Sequence, residues 1–375
     1  MGAGLMIVVV KIGTSSVTLP DGGVSDEAVA RLCEQVAELR HLGHRAVVVT
    51  SGAVTAGVAA LAPGRARPGD PVTLQALASI GQHRLMRVYD DAFAAHGMLA
   101  GQVLLAPLDF GERGRYLHAR DTLRRLLDLG VVPVVNENDA IADDEIRFGD
   151  NDRLAALVAH LLGADLMVLL TDLAGLFSAD PRVDAGATLI EEVREIDHDL
   201  EKAAGGSLNE AARGGMASKL AAAKMAAWSG VRTVVAAADR PSVLVDAVTS
   251  EHGGVGTVFL PHDRRLSARK LWIAFALRPR GTVVVDAGAR SAILERSTSL
   301  LAAGVTAVDG SFGPDDAVEI VGPDGTVFAK GISSLGSDRS LEWIGRRTSE
   351  LPEGLPDEVV HRDDLVVLED NSTRR

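Results

Sequence analysis

Short, almost continuously apolar runs that alternate with helical patterns constrain the fold of this chain more than any other feature. The runs lie at residues 6–10, 46–50, 101–106, 131–135, 166–171 and 233–237. A strand that is apolar on both faces must be covered on both faces, which is typical of parallel sheets between layers of helices. The sequence therefore predicts an α/β fold, a three-layer αβα sandwich with a mainly parallel sheet.

The helical patterns between these runs carry recognisable start and stop signals. Ser25 can cap a helix whose first turn holds Asp26 and Glu27, and Gly43 lies where that helix would end. Further helices are predicted near residues 75–95, 118–129, 152–162 and 216–229. Their alternation with the apolar runs supports the layered α/β fold.

The pattern changes after about residue 265, where short strands replace the long apolar runs. Residues 318–329 read VEIVGPDGTVFA, and the Pro, Asp and Gly in the middle suit the tight turn of a hairpin. We therefore predict a large α/β domain at residues 1–262, a linker at 263–280 and a small, mostly β domain at 281–370.

Composition and charge exclude several classes of function. The 375-residue chain carries 38 Lys and Arg against 51 Asp and Glu, and its net charge of −13 disfavours binding to nucleic acid or to an anionic membrane. A single cysteine, Cys33, rules out an internal disulfide and suits a reducing compartment. Because no apolar run is long enough to span a membrane, we expect a cytoplasmic protein. Neither a GxxxxGK[ST] phosphate loop nor a GxGxxG dinucleotide turn is present.

Four polar segments follow directly on apolar runs. They read KIGTSS (11–16), TSGA (50–53), NENDAIADDEIRFGDND (136–152) and TDLAG (171–175). In open α/β sheets ligands bind at the carboxyl ends of the strands, so these segments should meet at one sheet edge. The 136–152 segment holds seven carboxylates and three side-chain amides, which indicates a substrate site. A calcium loop is the alternative there, but the D-x-[DN]-x-[DN]-G spacing is absent.

Two lysines stand out because the chain has six lysines against 32 arginines. Lys11 closes the first apolar run and precedes Gly13, where freed backbone N–H groups could cradle a phosphate beside the ammonium. Lys219 follows Gly214 and Gly215 near the start of a predicted helix, an end that favours anions. The plain alternatives are a lysine that snorkels at a strand end and an ordinary Gly-Gly turn without a ligand.

A series of motifs in a fixed order carries a resemblance to a known family. In chain order they read KIGTSS, VTSGAVTAG, HARDTL, VNENDA, FGDNDRLAA, LLTDLAGLFSADPR and GGMASK. This series resembles the amino acid kinase family over nearly the whole chain, and within it the kinases that act on glutamate. The segment VDAGARSAILERSTSLLAAGVTAVDGSFGPDDAVEI is similar to the PUA domain often appended to those enzymes. The resemblance implies the amino acid kinase fold followed by a PUA-like domain.

The resemblance also implies a reaction, the transfer of the γ-phosphoryl group of ATP to the side-chain carboxylate of L-glutamate. Lys11 and Lys219 would be catalytic and contact the phosphoryl oxygens from two sides, with Asp152 between them. The attacking carboxylate is already ionised at neutral pH, so no general base is required. Mg²⁺ would enter with ATP, and no metal site made by the protein alone is expected.

The acidic segment would then bind the amino acid, and the glycine-rich turns would bind the nucleotide. The implied substrate-binding residues are Ser51, Gly52, Asn136, Asp139, Asp150 and Asn151. The implied nucleotide-binding residues are Lys11, Gly13, Thr171, Asp172, Arg213, Gly214, Gly215, Met216, Ala217, Ser218 and Lys219. The chain departs from the family pattern at Arg213, where a threonine is usual, and at His118, where an asparagine is usual. Arg213 would either add a phosphate contact or crowd the nucleotide.

A metabolic place and partners follow from the same resemblance. The product would be L-glutamyl 5-phosphate, the first intermediate of proline biosynthesis, handed on to a glutamyl-phosphate reductase. Proline shares an α-carboxylate and a cationic nitrogen with glutamate, so it would inhibit at or near the region of Asp139. Family members form homodimers or homotetramers, and we expect one of these assemblies.

Three other functions stay open on the sequence alone. A kinase of the same fold could act on aspartate, N-acetylglutamate or a nucleotide, although N-acetylglutamate has no ammonium to pair with Asp139. RNA binding by the PUA-like domain is disfavoured by seventeen acidic against ten basic residues from Arg280 onward and by its three aromatics, Phe312, Phe328 and Trp343. An inactive regulatory relative is disfavoured because both lysines and Asp152 are present.

Overall fold

The structure, a computed structural model, describes residues 4–61, 67–106, 108–141, 151–184, 186–196, 200, 215–250, 254–262, 265–346, 350, 352 and 356–368. The chain forms two compact units, of which the first ends at Leu266 and the second begins at Ser267. Each unit is built around a sheet and a hydrophobic core of its own.

An eight-stranded sheet forms the centre of the first unit. Its strands are β1 (Ile7–Ile12), β2 (Arg45–Val49), β3 (Ala100–Leu105), β4 (Val132–Glu137), β5 (Leu166–Thr171), β6 (Glu192–Val193), β7 (Arg232–Ala237) and β8 (Thr257–Phe259). They lie in the spatial order β3-β4-β2-β1-β5-β7-β8-β6. Neighbouring strands are parallel except for the antiparallel pair of β7 and β8. The prediction of a mainly parallel sheet is confirmed.

Helices cover both faces of this sheet. Those described are α1 (Thr14–Val17), α2 (Asp26–His41), α3 (Ala53–Leu61), α4 (Pro71–Ala94), α5 (Leu108–Gly111), α6 (Arg113–Asp128), α7 (Asn151–Leu162), α8 (Met216–Trp228) and α9 (Val243–Thr249). On one face α2, α4 and α9 share a core with the strands, and α6, α7 and α8 pack on the other face. This arrangement confirms the predicted three-layer αβα sandwich. Within the described ranges, none of the helices has both the length and the apolar character needed to cross a membrane.

Alternation along β1 decides which of its side chains meet which layer. Val8, Val10 and Ile12 belong to the core shared with α2 and α4, so Val9 and Lys11 point to the opposite face. The buried Lys11 meets the first turn of α7 on that face. A strand that is otherwise apolar on both sides therefore directs one charge into the α7 layer.

Two helix ends show how the caps are made. Ser25 accepts a hydrogen bond from the Ala28 N–H at 3.2 Å, which confirms its predicted role as the cap of α2. The start of α9 receives no side-chain hydrogen bond from its own Ser242. Instead, the Gln35 side chain on α2 accepts from the Leu244 N–H at 3.2 Å. The end of one helix is thus satisfied by a neighbouring helix of the same layer.

Helices α3 and α4 cross backbone to backbone at two glycines. A β carbon added to Gly81 would lie 1.7 Å from the Ala53 carbonyl oxygen, and one added to Gly57 would lie 1.9 Å from the Leu77 carbonyl oxygen. Only glycine fits at these positions, because a side chain would overlap with the backbone of the other helix. The crossing holds α4 against the first turn of α3, which directly follows the turn at residues 51–52.

The second unit is a small, mostly β domain, as predicted. Its strands are β9 (Gly281–Val285), β10 (Leu300–Leu301), β11 (Val305–Gly310), β12 (Ala317–Val321), β13 (Val327–Ser333) and β14 (Glu358–Val367), in the spatial order β10-β14-β13-β12-β9-β11. The antiparallel pairing of β12 and β13 confirms the predicted hairpin, in which the Gly322 N–H donates to the Thr326 carbonyl at 2.9 Å. Val283, Ile293 and Phe328 belong to the separate core of this unit.

Helical segments complete the second unit. They are α10 (Ala268–Leu271), a π-helix (Trp272–Ala276), α11 (Ala287–Arg296), a 3-10 turn (Ala302–Gly304) and α12 (Ser337–Glu342). The buried Lys330 on β13 donates to the carbonyl oxygens of Ala274 and Leu277. These bonds fasten the segment after Ser267 to the sheet of the second unit. The domain limits at 1–262, 263–280 and 281–370 stay predictions.

Candidate active site

The strand order brings the predicted polar segments to one edge of the first sheet. β4, β2, β1 and β5 are consecutive parallel neighbours, so their carboxyl ends lie at the same edge. Asn136, Ser51, Gly13 and Thr171 follow one another in that order along this edge. Open parallel sheets bind their ligands at this end.

A buried triad of ions lies at the end of β1. The Nζ atom of Lys11 is 2.5 Å from Oδ1 of Asp152, and the Nζ atom of Lys219 is 3.1 Å from Oδ2. The Ser218 hydroxyl donates to the same Oδ2 at 2.7 Å. The exposed fractions are 0% for Asp152, 4% for Lys11 and 7% for Lys219. The structure thus brings together β1, the first turn of α7 and the first turn of α8, and the three residues predicted to be catalytic are in direct contact.

The electrostatics of the triad favour an anion. Burial opposes ionisation of Asp152, but the charges of Lys11 and Lys219 and the hydrogen bonds to the carboxylate hold its pKa below the ordinary value. Within the triad, two ammonium groups face one carboxylate, so one positive charge is left over. Buried charge that is incompletely compensated attracts a counter-ion such as a phosphoryl group.

Two glycine turns leave room for an anion beside the lysines. A β carbon added to Gly13 would lie 3.8 Å from Nζ of Lys11, so the missing side chain opens space next to the ammonium. Helix α8 begins at Met216 after Gly215, where an added β carbon would meet no atom of the described residues within 4 Å. Lys219 lies in the first turn of this helix, an end whose N–H groups and dipole attract anions. Both turns suit a phosphate cradle.

Three amide side chains, which we call the amide relay, lie next to the triad: Asn151, Asn136 and Gln82. The Nδ2 atom of Asn151 donates to Oδ1 of Asn136 at 2.6 Å, and Nδ2 of Asn136 donates to Oε1 of Gln82 at 2.7 Å. Nδ2 of Asn151 also donates to the Thr50 carbonyl at 2.5 Å and to the Ser51 hydroxyl at 3.1 Å. Donation from Asn151 to a substrate, which the resemblance implies, would compete with these bonds.

The turn after β2 is supported by α4. Gly52 has a φ of +104°, a left-handed conformation that favours glycine. The preceding Thr50 hydroxyl shares a 2.9 Å hydrogen bond with the phenol of Tyr89 on α4. Tyr89 is fully buried, and this burial raises the pKa of its phenol. A neutral, buried hydrogen bond therefore fixes the backbone that presents Ser51.

The remaining predicted residues lie around this centre. Asp139 is half-buried in the turn that follows β4. Thr171 is the buried last residue of β5, and its hydroxyl donates to the exposed Asp172 carboxylate at 2.9 Å. Met216 and Ala217 form the start of α8 beside Lys219. Three predicted residues fall outside the described part of the chain, namely Asp150, Arg213 and Gly214.

Sequence reasoning missed the contribution of α4. Gln82 and Tyr89 lie on its buried face and reach the turn after β2 and the end of β4. No local motif separates them from core positions of an ordinary helix. A polar amide within the apolar stripe of α4, between Ala78 and Leu85, is the signal that could have identified Gln82.

The chain is similar to known proteins over both of its units. The amino acid kinase family matches residues 6–237, and the PUA domain matches residues 281–355. The glutamate 5-kinase of Trichlorobacter lovleyi is 45% identical over 365 residues, which cover 96% of this chain and 96% of that protein. The glutamate 5-kinase of Nocardia farcinica is 46% identical over 359 residues, with 96% of each chain covered.

One further relative and one solved structure were also matched. The glutamate 5-kinase of Mycobacterium tuberculosis strain H37Rv is 46% identical over 361 residues, which cover 96% of this chain and 94% of that protein. The structure of the T. acidophilum isopentenyl phosphate kinase product complex covers 68% of this chain at 20% identity with a TM-score of 0.48, which is too distant to inform function. The family match covers more than half of the chain, and the relatives match nearly its full length. The chain therefore belongs to the amino acid kinase family, in its glutamate 5-kinase group, and carries a C-terminal PUA domain.

Proposed function

We propose that this chain transfers the γ-phosphoryl group of ATP to the side-chain carboxylate of L-glutamate, with L-glutamyl 5-phosphate and ADP as products. The observation that carries the proposal is the buried triad of Lys11, Asp152 and Lys219, which has a surplus positive charge at the ligand-binding edge of the sheet. The shared name of the relatives supports glutamate as the phosphoryl acceptor.

The reaction requires positioning and charge stabilisation rather than proton abstraction. The side-chain carboxylate of glutamate is ionised at neutral pH, so its oxygen attacks the γ-phosphorus as the bond to the ADP oxygen breaks. Lys11 and Lys219 would contact the oxygens of the transferred group, and Asp152 would keep the two ammonium groups on either side of it. Preorganised donors of this kind each contribute ~10²–10³ in rate.

The order of the strand ends supports separate positions for the two substrates. Asn136 and Ser51 lie on the β4 and β2 side of Lys11, and Thr171 lies on the β5 side. We assign the amino acid to the first side and the nucleotide to the second, with the turn at residues 215–219 at its phosphates. The transferred group would then pass the two lysines between these positions.

Selection of glutamate would depend on a mixture of acid and amide groups. Asp139 would pair with the α-ammonium, and Ser51 and Asn136 would contact a carboxylate. N-acetylglutamate has no ammonium, so Asp139 would add nothing to its affinity, and aspartate is one methylene shorter than the proposed acceptor. An all-basic pocket would bind any dianion, whereas this composition favours a free amino acid.

Mg²⁺ is proposed to accompany ATP, in keeping with the divalent metal of kinase reactions. Among the described residues, no group of three or more His, Cys, Asp or Glu side chains is arranged to hold a metal ion. The Asp152 carboxylate faces two ammonium groups, which disfavours a cation at that point. The ion therefore fits best on phosphate oxygens and water, the usual ligands of Mg²⁺ in such sites.

The proposal extends to the pathway and its regulation. The product would enter proline biosynthesis through a glutamyl-phosphate reductase, and proline would inhibit by competing with glutamate near Asp139. We also propose a homodimer or homotetramer, and a structural or regulatory role for the PUA domain in place of RNA binding. The acidic balance of that domain supports this last point.

Trapping of the acyl phosphate with hydroxylamine tests the proposal. The full-length chain receives Mg-ATP with glutamate, aspartate or N-acetylglutamate, and hydroxamate is measured with and without proline. We expect hydroxamate from glutamate alone, inhibition by proline, and a loss of at least ~10²-fold in Lys11→Ala. Hydroxamate from another acid would refute the assignment of glutamate, and full activity of Lys11→Ala would refute the role of the triad.

A further inference from the structure

Gln82 is a buried amide whose two polar atoms have different environments. It is 8% exposed, and its Oε1 atom accepts the 2.7 Å hydrogen bond from Asn136 of the amide relay. Its Nε2 atom is buried and has no hydrogen-bond partner within the part of the chain that the structure describes. An unsatisfied buried donor destabilises a fold, so packing alone does not explain an amide at this position.

Two backbone groups fix the direction of the amide relay. The Thr50 carbonyl can only accept, so the Asn151 atom that contacts it is the amide nitrogen. The Glu137 N–H can only donate, so the Asn136 atom 2.9 Å from it is the carbonyl oxygen. Asn136 must therefore turn its nitrogen toward Gln82, which must present its oxygen. The identity of the oxygen and nitrogen atoms in all three amides therefore follows from their backbone partners.

We propose that Gln82 is a positioning residue that sets the orientation of Asn136, and through it Asn151, for the amino-acid substrate. The inference deepens the proposed function and rests on it, because these amides are assigned to the glutamate side of the site. Without an acceptor at Gln82, the Nδ2 group of Asn136 loses its buried partner, and only the hydrogen bonds to Oδ1 from the Glu137 N–H and from Asn151 still restrain the side chain. The relay would then present its polar atoms to the substrate in more than one arrangement.

The helix that carries Gln82 is held rigidly against the same site. The adjacent Gly81 touches the first turn of α3, since a β carbon there would lie 1.7 Å from the Ala53 carbonyl oxygen. Two turns further along α4, Tyr89 hydrogen-bonds Thr50, whose carbonyl accepts from Asn151. Both ends of the amide relay are thus connected to α4, and Gln82 can act as a fixed reference point for Asn136.

The test compares Gln82→Met with the wild-type chain by steady-state kinetics. Methionine keeps the length of the side chain and removes the acceptor, so we expect the KM for glutamate to rise about tenfold, with the KM for ATP and kcat changed less than threefold. Gln35→Met is the matched control, because Gln35 is also 8% exposed but caps α9 through Leu244. The control should retain the wild-type KM for glutamate. Gln82→Leu, which also removes the acceptor, serves as a second variant if Gln82→Met does not fold.

A double-mutant cycle with Asn136→Ala separates positioning from a general structural effect. If Gln82 acts through Asn136, Gln82→Met should add less than twofold to the KM for glutamate once Asn136 is already alanine. An unchanged KM for glutamate in Gln82→Met, or fully multiplicative effects in the double variant, would overturn the inference and leave the proposed function intact. A wild-type chain that forms no hydroxamate from glutamate would overturn both.

Discussion

At the scale of single residues, the site is organised by one carboxylate that faces two ammonium groups. Asp152 is fully buried, and each of its oxygens lies within 3.1 Å of a lysine nitrogen. Burial of three charges is unfavourable unless they compensate one another, and removal of one partner exposes the others to that penalty. Asp152 therefore links the stability of the first unit to the arrangement of Lys11 and Lys219.

Asp152→Asn should lower both stability and activity. The change keeps the shape of the side chain but leaves two buried ammonium groups without a counter-charge, so we expect a loss of about 3–5 kcal/mol in the free energy of unfolding. The kcat should fall by ~10²–10³ because the lysines lose their fixed positions. Urea denaturation and the hydroxamate assay measure the two effects.

The matched control is Asp128→Asn, which breaks a 2.9 Å ion pair with Arg45 between partly exposed side chains. Such pairs are worth about 0–1 kcal/mol, so stability and kcat should stay close to the wild-type values. Equal losses in the two variants would mean that the buried triad has no special energetic role.

At the scale of secondary-structure elements, α4 supports much of the side of the candidate site that we assign to the amino acid. It contributes Gln82 and Tyr89, and Gly81 and Leu77 form its contact with α3. Because α3 starts directly after the turn at residues 51–52, a displacement of α4 would shift that turn and the amide relay together. The contact between α3 and α4 at Gly57 and Gly81 is therefore the contact between helices on which the geometry of the site depends.

Gly81→Ala should disrupt this crossing. The added methyl group would lie 1.7 Å from a backbone carbonyl oxygen, which a rotamer change cannot relieve. We expect a loss of at least about 2 kcal/mol in the free energy of unfolding, together with a higher KM for glutamate. Gly69→Ala is the control, because a β carbon there meets nothing within 4 Å in the part of the chain that the structure describes, and its effect should stay within about 0.5 kcal/mol. Equal stability of the two variants would show that α3 and α4 can separate without penalty.

At the scale of the whole molecule, acid should destabilise the first unit through α7. Burial lowers the pKa of His160 near the end of this helix from 6.5 to about 4. Between these two values the unfolded chain binds a proton that the folded chain excludes, so stability falls as the pH falls. Asp152 at the start of α7 acts in the same direction, because its pKa is lower in the folded chain than in the unfolded chain. Its contribution to stability is complete above the ordinary pKa range of a carboxyl group and is lost as the pH falls below that range.

His160→Gln should reduce this acid sensitivity. The wild-type free energy of unfolding should fall from pH 7 to pH 4.5. The histidine contributes at most about 3 kcal/mol to this fall, when the pH passes through the whole interval between its unfolded and folded pKa values. The variant lacks the titrating group and should lose less stability over the same range. Urea denaturation at the two pH values measures the difference. A decline as steep in the variant as in the wild type would show that His160 does not contribute.

Much of the fold and part of the site were predictable because their signals are local. Continuous apolar runs identify strands that are covered on both faces, and the polar residues directly after them mark the ligand-binding edge of a parallel sheet. Lys11, Ser51 and Asn136 could be assigned to that edge for this reason. The family resemblance added the catalytic roles of Asp152 and Lys219, although no spacing rule predicts that residues on three separate elements come into contact.

The sequence by itself determined six of the eight strands of the first sheet, that the sheet is mostly parallel, and which residues follow those strands at the predicted binding edge. The tertiary structure alone decided that Asp152 lies 2.5 Å from the Lys11 nitrogen and 3.1 Å from the Lys219 nitrogen, that Gln82 and Tyr89 contact residues of the candidate site, and that the amide relay runs in one direction. The physical reason is that strand and turn signals arise from neighbours along the chain. Contacts between layers depend on how helices pack, and a polar residue on a buried helix face gives no sign of its partner until that packing is known.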